Sequence, residues 1–412
     1  MAGVTTFVTM AYIIFVNPAI LGQTGLPQAG VSAATCLAAG FASILMGAYA
    51  RDPIALAPGM GLNAYFAYTV VKGMGVPWQT ALGAVFLSGL VFFVLTLAGV
   101  REKLIQSLPV ELYAAVGAGI GVFIAFIGLR NSGIIVSDAA TSVKLGSMRA
   151  PSALIAMFGL ILTTALQARR VRTAVLIGIG SSTALALATG VARWEPRWNA
   201  LGEMTSTMFQ LDIEGALKFG LAEILLVFLF VHLFDNLGTL VAVARQAGLM
   251  AADGTVPRVR SILLADAIAS MAGALMGTSP MVSYIESTAG IVAGGRSGVT
   301  AIVTGLLFLV ALAATPVAGV IPAAATAPAL VLVGAAMMSH AAGIDWRDPF
   351  IAVPAFVTII TIPLTFSIAN GIALGFTTYA LVKLVGGRGR EVSGLVYVLA
   401  VLFVGRFLYL SD

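Results

Sequence analysis

Two stretches decide how this chain folds: APGMGLNAYFAY, residues 57–68, and GTSPMVSYIESTAG, residues 277–290. Both sit in strongly apolar chain, and both are short for a bilayer crossing, which takes about 20 residues of helix. Both are also interrupted by Gly, Pro or polar residues. Backbone broken at membrane depth survives only inside protein or around a polar cavity, because lipid offers its N–H and C=O groups no partner. Membrane depth is where they belong: of 412 residues 59% are hydrophobic and 9% are charged, with a mean hydropathy of +1.03, whereas a soluble domain is about one quarter charged.

Apolar windows bounded by Pro, Gly and charge predict spans near 3–21, 31–50, 58–71, 78–99, 110–129, 151–168 and 172–190. A second set follows near 217–243, 258–276, 280–293, 297–317, 326–341, 349–367 and 369–386. The two broken stretches are the third member of each seven. Placing Pro58 on Pro280 sets a step of 222 residues, sets Ala64 opposite Glu286, and carries the first span roughly onto FVHLFDNLGTL, Phe230 to Leu240. Seven is odd, so the halves cross in opposite senses and the repeat is inverted. The fold class expected is an all-α polytopic membrane protein of fourteen segments forming one integral domain over 1–412. The first repeat covers 1–205, the second 206–390, and an apolar tail, 391–412, has no assigned place. Short broken segments at matching places of inverted repeats mark a transporter's binding site near the bilayer midplane.

The net charge of +5 follows membrane topology. With the N-terminus cytoplasmic, fourteen of the 22 Lys and Arg fall in inside loops, from Arg51 to Arg390, against seven outside, from Lys72 to Lys218, with Arg406 in the tail. That is the positive-inside bias. No basic face for nucleic acid exists, and the opening residues read as a first span rather than a signal peptide. The lone Cys36 excludes an internal disulfide and a Cys-based metal cluster. HExxH and CxxC are absent, and AGGRSG, ending at Gly298, lacks the Walker spacing. No metal, cofactor or nucleotide-driven pump is expected, and a membrane-embedded enzyme has no recognisable catalytic spacing. The motif GAGIG, Gly117 to Gly121, fits close helix packing.

The ionisable residues within spans carry the functional expectation, because each is costly in lipid. Asp235 lies deep in its span; helix packing satisfied by hydroxyls is its competing role. Glu286 starts the half-helix after the second broken stretch, beside Ser283, Tyr284, Ser287 and Thr288. His232, three residues before Asp235, shares its helix face and can take a proton near neutral pH. Asn63, after PGMGL, can donate to and accept from a heterocycle edge, with helix capping as the alternative. Asp266 is mid-span and fits a structural or gating role; Glu223 lies near a span end, and His340 fits the interface.

The segments AGVTTFVTMAYIIFVNP, LAPGMGLNAYFAYTVV, FVHLFDNLGTLVAVARQAGL, SYIESTAGIVAGGRSGVTAIVTGLLFL and IDWRDPFIAVPAFVTIITIPLTFSIANGIALGF resemble, in order and nearly end to end, the AzgA-like purine permeases of the nucleobase:cation symporter-2 family. The resemblance implies two inverted seven-segment repeats divided into core and gate, with the third and tenth segments each a short strand plus half-helix. It implies a purine held between core and gate, with Asp235, Glu286 and Asn63 at the family's site positions, and a homodimer in the cell inner membrane. An acid is usual in the family where this chain has His232, and Thr is common where it has Pro280. The His of the first segment in uracil and xanthine relatives has no counterpart near Thr5 and Thr6.

The function expected is proton symport of adenine, guanine or hypoxanthine, with no cofactor beyond the coupling H+. Glu286, Asp235, Asn63, Ser283, Tyr284 and Ala64 hold the base, and Asp235 and His232 hold the proton. An anion or bicarbonate carrier on the same fold, or a uracil or xanthine permease, are the alternatives, and sodium is the alternative coupling ion.

Overall fold

The computed structural model describes residues 1–99, 109–196, 199–218, 258–409 and, between 219 and 257, positions 224, 227–229, 231–233, 236, 239, 240, 243 and 244. Asp235 and Glu223 lie outside the described residues. The chain divides into two compact units that each draw on both halves of the sequence: 1–94 with 126–332, and 95–125 with 333–412.

In chain order the elements are α1 (Ala2–Met10), α2 (Ile13–Leu21), α3 (Gln28–Leu45, continued by a π-helical turn Met46–Ala50), β1 (Leu56–Pro58), α4 (Met60–Ala64, continued by a π-helix Tyr65–Gly73), α5 (Trp78–Leu97) and α6 (Val110–Asn131). A hairpin of β2 (Ile135–Asp138) and β3 (Ser142–Leu145) leads to α7 (Pro151–Ala168) and α8 (Ala174–Ala188). Then come α9 (Val259–Met276), β4 (Met281–Ser283), α10 (Ser287–Val292), α11 (Gly298–Val310), α12 (Ala323–Met338), α13 (Pro349–Leu364), α14 (Ile368–Val385) and α15 (Gly394–Tyr409). Among the described residues nine helices are long and apolar enough to cross a membrane, and 174–188, 349–364 and 394–405 are shorter apolar helices. This is a mostly helical, multi-pass membrane protein.

In the first unit α3 is the central helix, packed on α2, α9 and α11, while α1 lies on α10 and α11. Small residues allow these approaches: a Cβ added to Gly305 of α11 would stand 2.6 Å from the Gly40 carbonyl oxygen of α3. Without a hydrophobic force between helices in lipid, such backbone proximity is a main source of packing energy. Pro18 inside α2 has no N–H to give to the Ile14 carbonyl four residues back. The Ser32 hydroxyl on α3 donates to that carbonyl instead, at 3.0 Å. The lone Cys36 is buried in α3.

In the second unit α13 packs along α14, and α14 along α15, so the tail continues the helical packing. The glycines of GAGIG do meet neighbours: a Cβ on Gly121 would stand 2.6 Å from the Gly334 carbonyl oxygen, and one on Gly119 would stand 2.6 Å from Ile362 Cδ1. Lys383 is buried at the end of α14, where it pairs with Glu391 at 2.5 Å.

The β2–β3 hairpin has no counterpart in the sequence expectation. Its turn is fixed by Asp138, whose Oδ1 accepts from Ala140 N–H at 2.9 Å and Thr141 N–H at 3.1 Å, and whose Oδ2 meets Lys144 Nζ at 2.7 Å. Lys144 first, then the two amides, hold the Asp138 carboxyl down at about 2. A depressed carboxylate contributes order that is present above its ordinary pKa and is lost only as pH falls through the lowered value. A spin label at Ala139 is therefore expected to keep its mobility from neutral pH down to about pH 4, and to gain mobility only toward pH 2. Gly305→Val, forcing α11 off α3, is expected to destabilise the protein by about 1–3 kcal/mol, read as a lowered thermal midpoint in detergent.

Candidate functional site

The two broken stretches meet. β1 and β4 pair antiparallel with Leu56 opposite Ser283, Ala57 opposite Val282 and Pro58 opposite Met281. Three residues cannot satisfy one another's backbone, so side chains complete the crossing. Ser43 on α3 accepts from Leu56 N–H and donates to Leu56 C=O, both at 3.1 Å. Ser270 on α9 does the same for Met281, again at 3.1 Å in both directions. At the ends of the crossing, Gly59 N–H donates to Pro280 C=O at 3.0 Å, and Tyr284 N–H donates to Ala55 C=O at 3.0 Å. The Tyr284 hydroxyl donates to Pro58 C=O at 2.6 Å, and Ser287 Oγ accepts from Ala55 N–H at 3.0 Å.

The serine clamps recur with the strands, one pair per half. The strand residues Leu56 and Met281 are 225 positions apart, and Ser43 and Ser270 are 227 apart. Pro58 ends its strand while Pro280 precedes its own, so the proline superposition is off by three and the strands set Gly61, not Ala64, opposite Glu286. Ala64 is fully buried at the end of α4.

Beside the crossing lies a polar network with no exposure. Asn63 donates through Nδ2 to Asn17 Oδ1 at 2.7 Å, and its Oδ1 accepts from Ser279. Asn17 Nδ2 donates to Thr35 at 2.7 Å and to Thr278 at 2.9 Å. Both ends of the Asn63 amide are thus engaged in tying α2, α3, α4 and the approach to β4 together.

Glu286 is partly exposed, unlike these groups. Its Oε1 accepts from the Tyr12 hydroxyl at 2.6 Å, and Thr9 reaches its backbone carbonyl at 3.5 Å. Tyr12 is buried at the break between α1 and α2. It was not among the residues expected from sequence. The signal available was a tyrosine in an apolar run, whose hydroxyl needs a partner when buried. A carboxylate is an acceptor only, so it suits the N–H groups of a ligand.

Ser283 and Tyr284 are both buried at the end of β4, and Ser283 N–H donates to Asn236 Oδ1 at 3.1 Å. His232 is buried, and its Nε2 lies 2.9 Å from Asp266 Oδ2 on α9, with both side chains at most 1% exposed. The Phe92 ring stands edge-on to the imidazole at 4.7 Å. The carboxylate found at His232 is therefore one 34 residues onward in sequence. His340 is half-buried in the 3-10 turn Ser339–Gly343, with Nδ1 2.7 Å from Met337 O. Among the described residues no group of three or more His, Cys, Asp or Glu could hold a metal ion. Asn17→Ala is expected to leave the Asn63 amide without its acceptor and to cost about 1–3 kcal/mol, measured by unfolding in detergent.

Comparison with known proteins agrees with this architecture. The Xan_ur_permease model, described as Permease family, matches residues 1–374. The chain is 42% identical over 410 residues to the adenine permease AdeP of Escherichia coli, covering 100% of this chain and 92% of that one. It is 44% identical over 421 residues to the guanine/hypoxanthine permease PbuG of Bacillus subtilis, covering 99% and 96%. The transmembrane domain of the cyanobacterium bicarbonate transporter BicA shares the fold, with a TM-score of 0.65 at 16% identity over 89% of this chain and 96% of that one. The match across residues 1–374 and the end-to-end identity to purine permeases place this chain in the permease family.

Proposed function

We propose that this permease is a secondary active transporter that imports purine nucleobases by proton symport, working by alternating access from the cell inner membrane with its N-terminus cytoplasmic. Relatives named as adenine and guanine/hypoxanthine permeases support the substrate class. The observation that carries the reading is Glu286: a partly exposed carboxylate at membrane depth, beside a crossing of two broken segments and oriented by Tyr12. Purines offer N–H groups in pairs, and a carboxylate accepts two at once. Asn63 serves this site by holding α4 against β4, with Ser283, Tyr284 and Ala64 around the crossing. Asp235 completes the site.

The span plan that goes with this is fourteen segments in two inverted sevens. Nine helices long enough to cross, the shorter helices 174–188 and 349–364, and the two strand-and-helix segments support it among the described residues, and the sequence adds the span near 217–243. Coupling rests on Asp235 and His232. The His232–Asp266 contact supports this as geometry, because an imidazole nitrogen 2.9 Å from a carboxylate oxygen can share a hydrogen with it. A carboxylate at Glu286 disfavours an anion substrate, so the bicarbonate alternative stands second.

In proteoliposomes, an inward proton gradient is expected to drive accumulation of labelled guanine, hypoxanthine or adenine. Glu286→Ala abolishes it, and Tyr12→Phe weakens it by about tenfold, the worth of one hydrogen bond to a charged group. Purine flux that ignores the gradient contradicts the coupling; gradient-independent bicarbonate flux without any purine flux contradicts the substrate.

A further inference from the structure

Two polar atoms at the end of β4 are buried and make no hydrogen bond among the described residues: Asn236 Nδ2 and Ser283 Oγ. They belong to neighbouring groups, since Ser283 N–H donates to Asn236 Oδ1 at 3.1 Å. That bond fixes which way the Asn236 amide faces. A backbone N–H can only donate, so the atom toward it is the oxygen and the atom turned away is the NH2. Asn236 is fully buried and Ser283 is 3% exposed. Buried amide donors without an acceptor are rare, because the lost hydration is not repaid. Ser283 stands three residues before Glu286, the acceptor of the site, and Asn236 is bonded to Ser283.

The chemistry of the pair limits its ligand. An amide NH2 offers a metal cation no lone pair, so the pair suits a neutral acceptor. Guanine and hypoxanthine carry such an acceptor at C6, adjacent to the ring N1–H. Guanine adds an amino group on the other side of N1, so one edge presents acceptor, donor, donor. Glu286 answers the donors, and Asn236 with Ser283 answers the oxygen. Adenine carries an NH2 at C6, which would set N–H against N–H. Resting on the purine reading above, we infer that Asn236 is a specificity-determining residue whose amide donor, with the Ser283 hydroxyl, selects 6-oxopurines over adenine.

The test is competition for labelled guanine on the full chain in nanodiscs at neutral pH, using unlabelled guanine, hypoxanthine and adenine. The wild type is expected to hold both 6-oxopurines at least about tenfold more tightly than adenine. Asn236→Asp keeps the oxygen that Ser283 N–H needs and replaces the donor by an acceptor; it is expected to shrink the guanine-to-adenine ratio by about tenfold or reverse it. Ser283→Ala, which deletes only a buried hydroxyl, moves the ratio in the same direction by a smaller factor and guards against a folding defect in the first variant. Wild-type preference for adenine, or a ratio unchanged in whichever variants still bind, overturns the inference while leaving purine transport standing. Absence of binding by every purine to the wild type overturns the purine reading itself.

Discussion

The structure depends on the pairing of β1 with β4, six residues of extended backbone set among the helices of a mostly helical membrane protein. Extended chain at that depth is ruinous unless each N–H and C=O is met, since no water stands ready to replace a lost partner. The two strands are too short to satisfy one another. Ser43 and Ser270 each close the N–H and C=O of one strand residue, and Tyr284, Ser287 and Asn236 take up the groups at the ends. Because the clamping serines come from α3 and α9, the crossing fixes where those helices stand, and α3 in turn fixes α2 and α11.

The crossing sets polar groups whose hydrogen bonds are spent beside others that are not. Asn17, Thr35, Asn63, Thr278 and Ser279 form a closed network with no exposure, and their hydrogen bonds go to holding the broken segments together. Glu286 is placed by that frame and remains partly open, with the Tyr12 hydroxyl on one oxygen. Asn236 Nδ2 and Ser283 Oγ are buried and make no hydrogen bond among the described residues. A satisfied network rigidifies, and a rigid frame lets a few unspent groups read a ligand at low ordering cost.

Much of this was legible in the sequence where a residue violated the rule of its surroundings. Pro58, Gly59 and Pro280 in apolar chain disfavour an unbroken spanning helix, and they mark the crossing. Glu286 stands out because a carboxylate is costly there, and the GAGIG glycines because small residues permit close backbone approach. What stayed hidden were partnerships between distant residues with no charge to announce them. Tyr12 and Glu286 are 274 positions apart, and Ser43 looks like any helix serine until Leu56 folds back upon it. Asp266, whose carboxylate meets His232 Nε2, stands 34 residues on in another helix, a pairing that spacing along one helix does not show. Superposing prolines misplaced the repeat by three residues because one proline ends its strand and the other precedes its strand.

Purine binding at the Glu286 carboxylate, beside the strand crossing, is the proposal on which the transport reading rests. Its most direct test is an experimental structure of the full chain with guanine bound. The account predicts ring density with donor nitrogens within hydrogen-bonding distance of Glu286 and with the Tyr12 hydroxyl still on that carboxylate. Guanine bound away from the β1–β4 crossing, with Glu286 turned into helix packing, would contradict it.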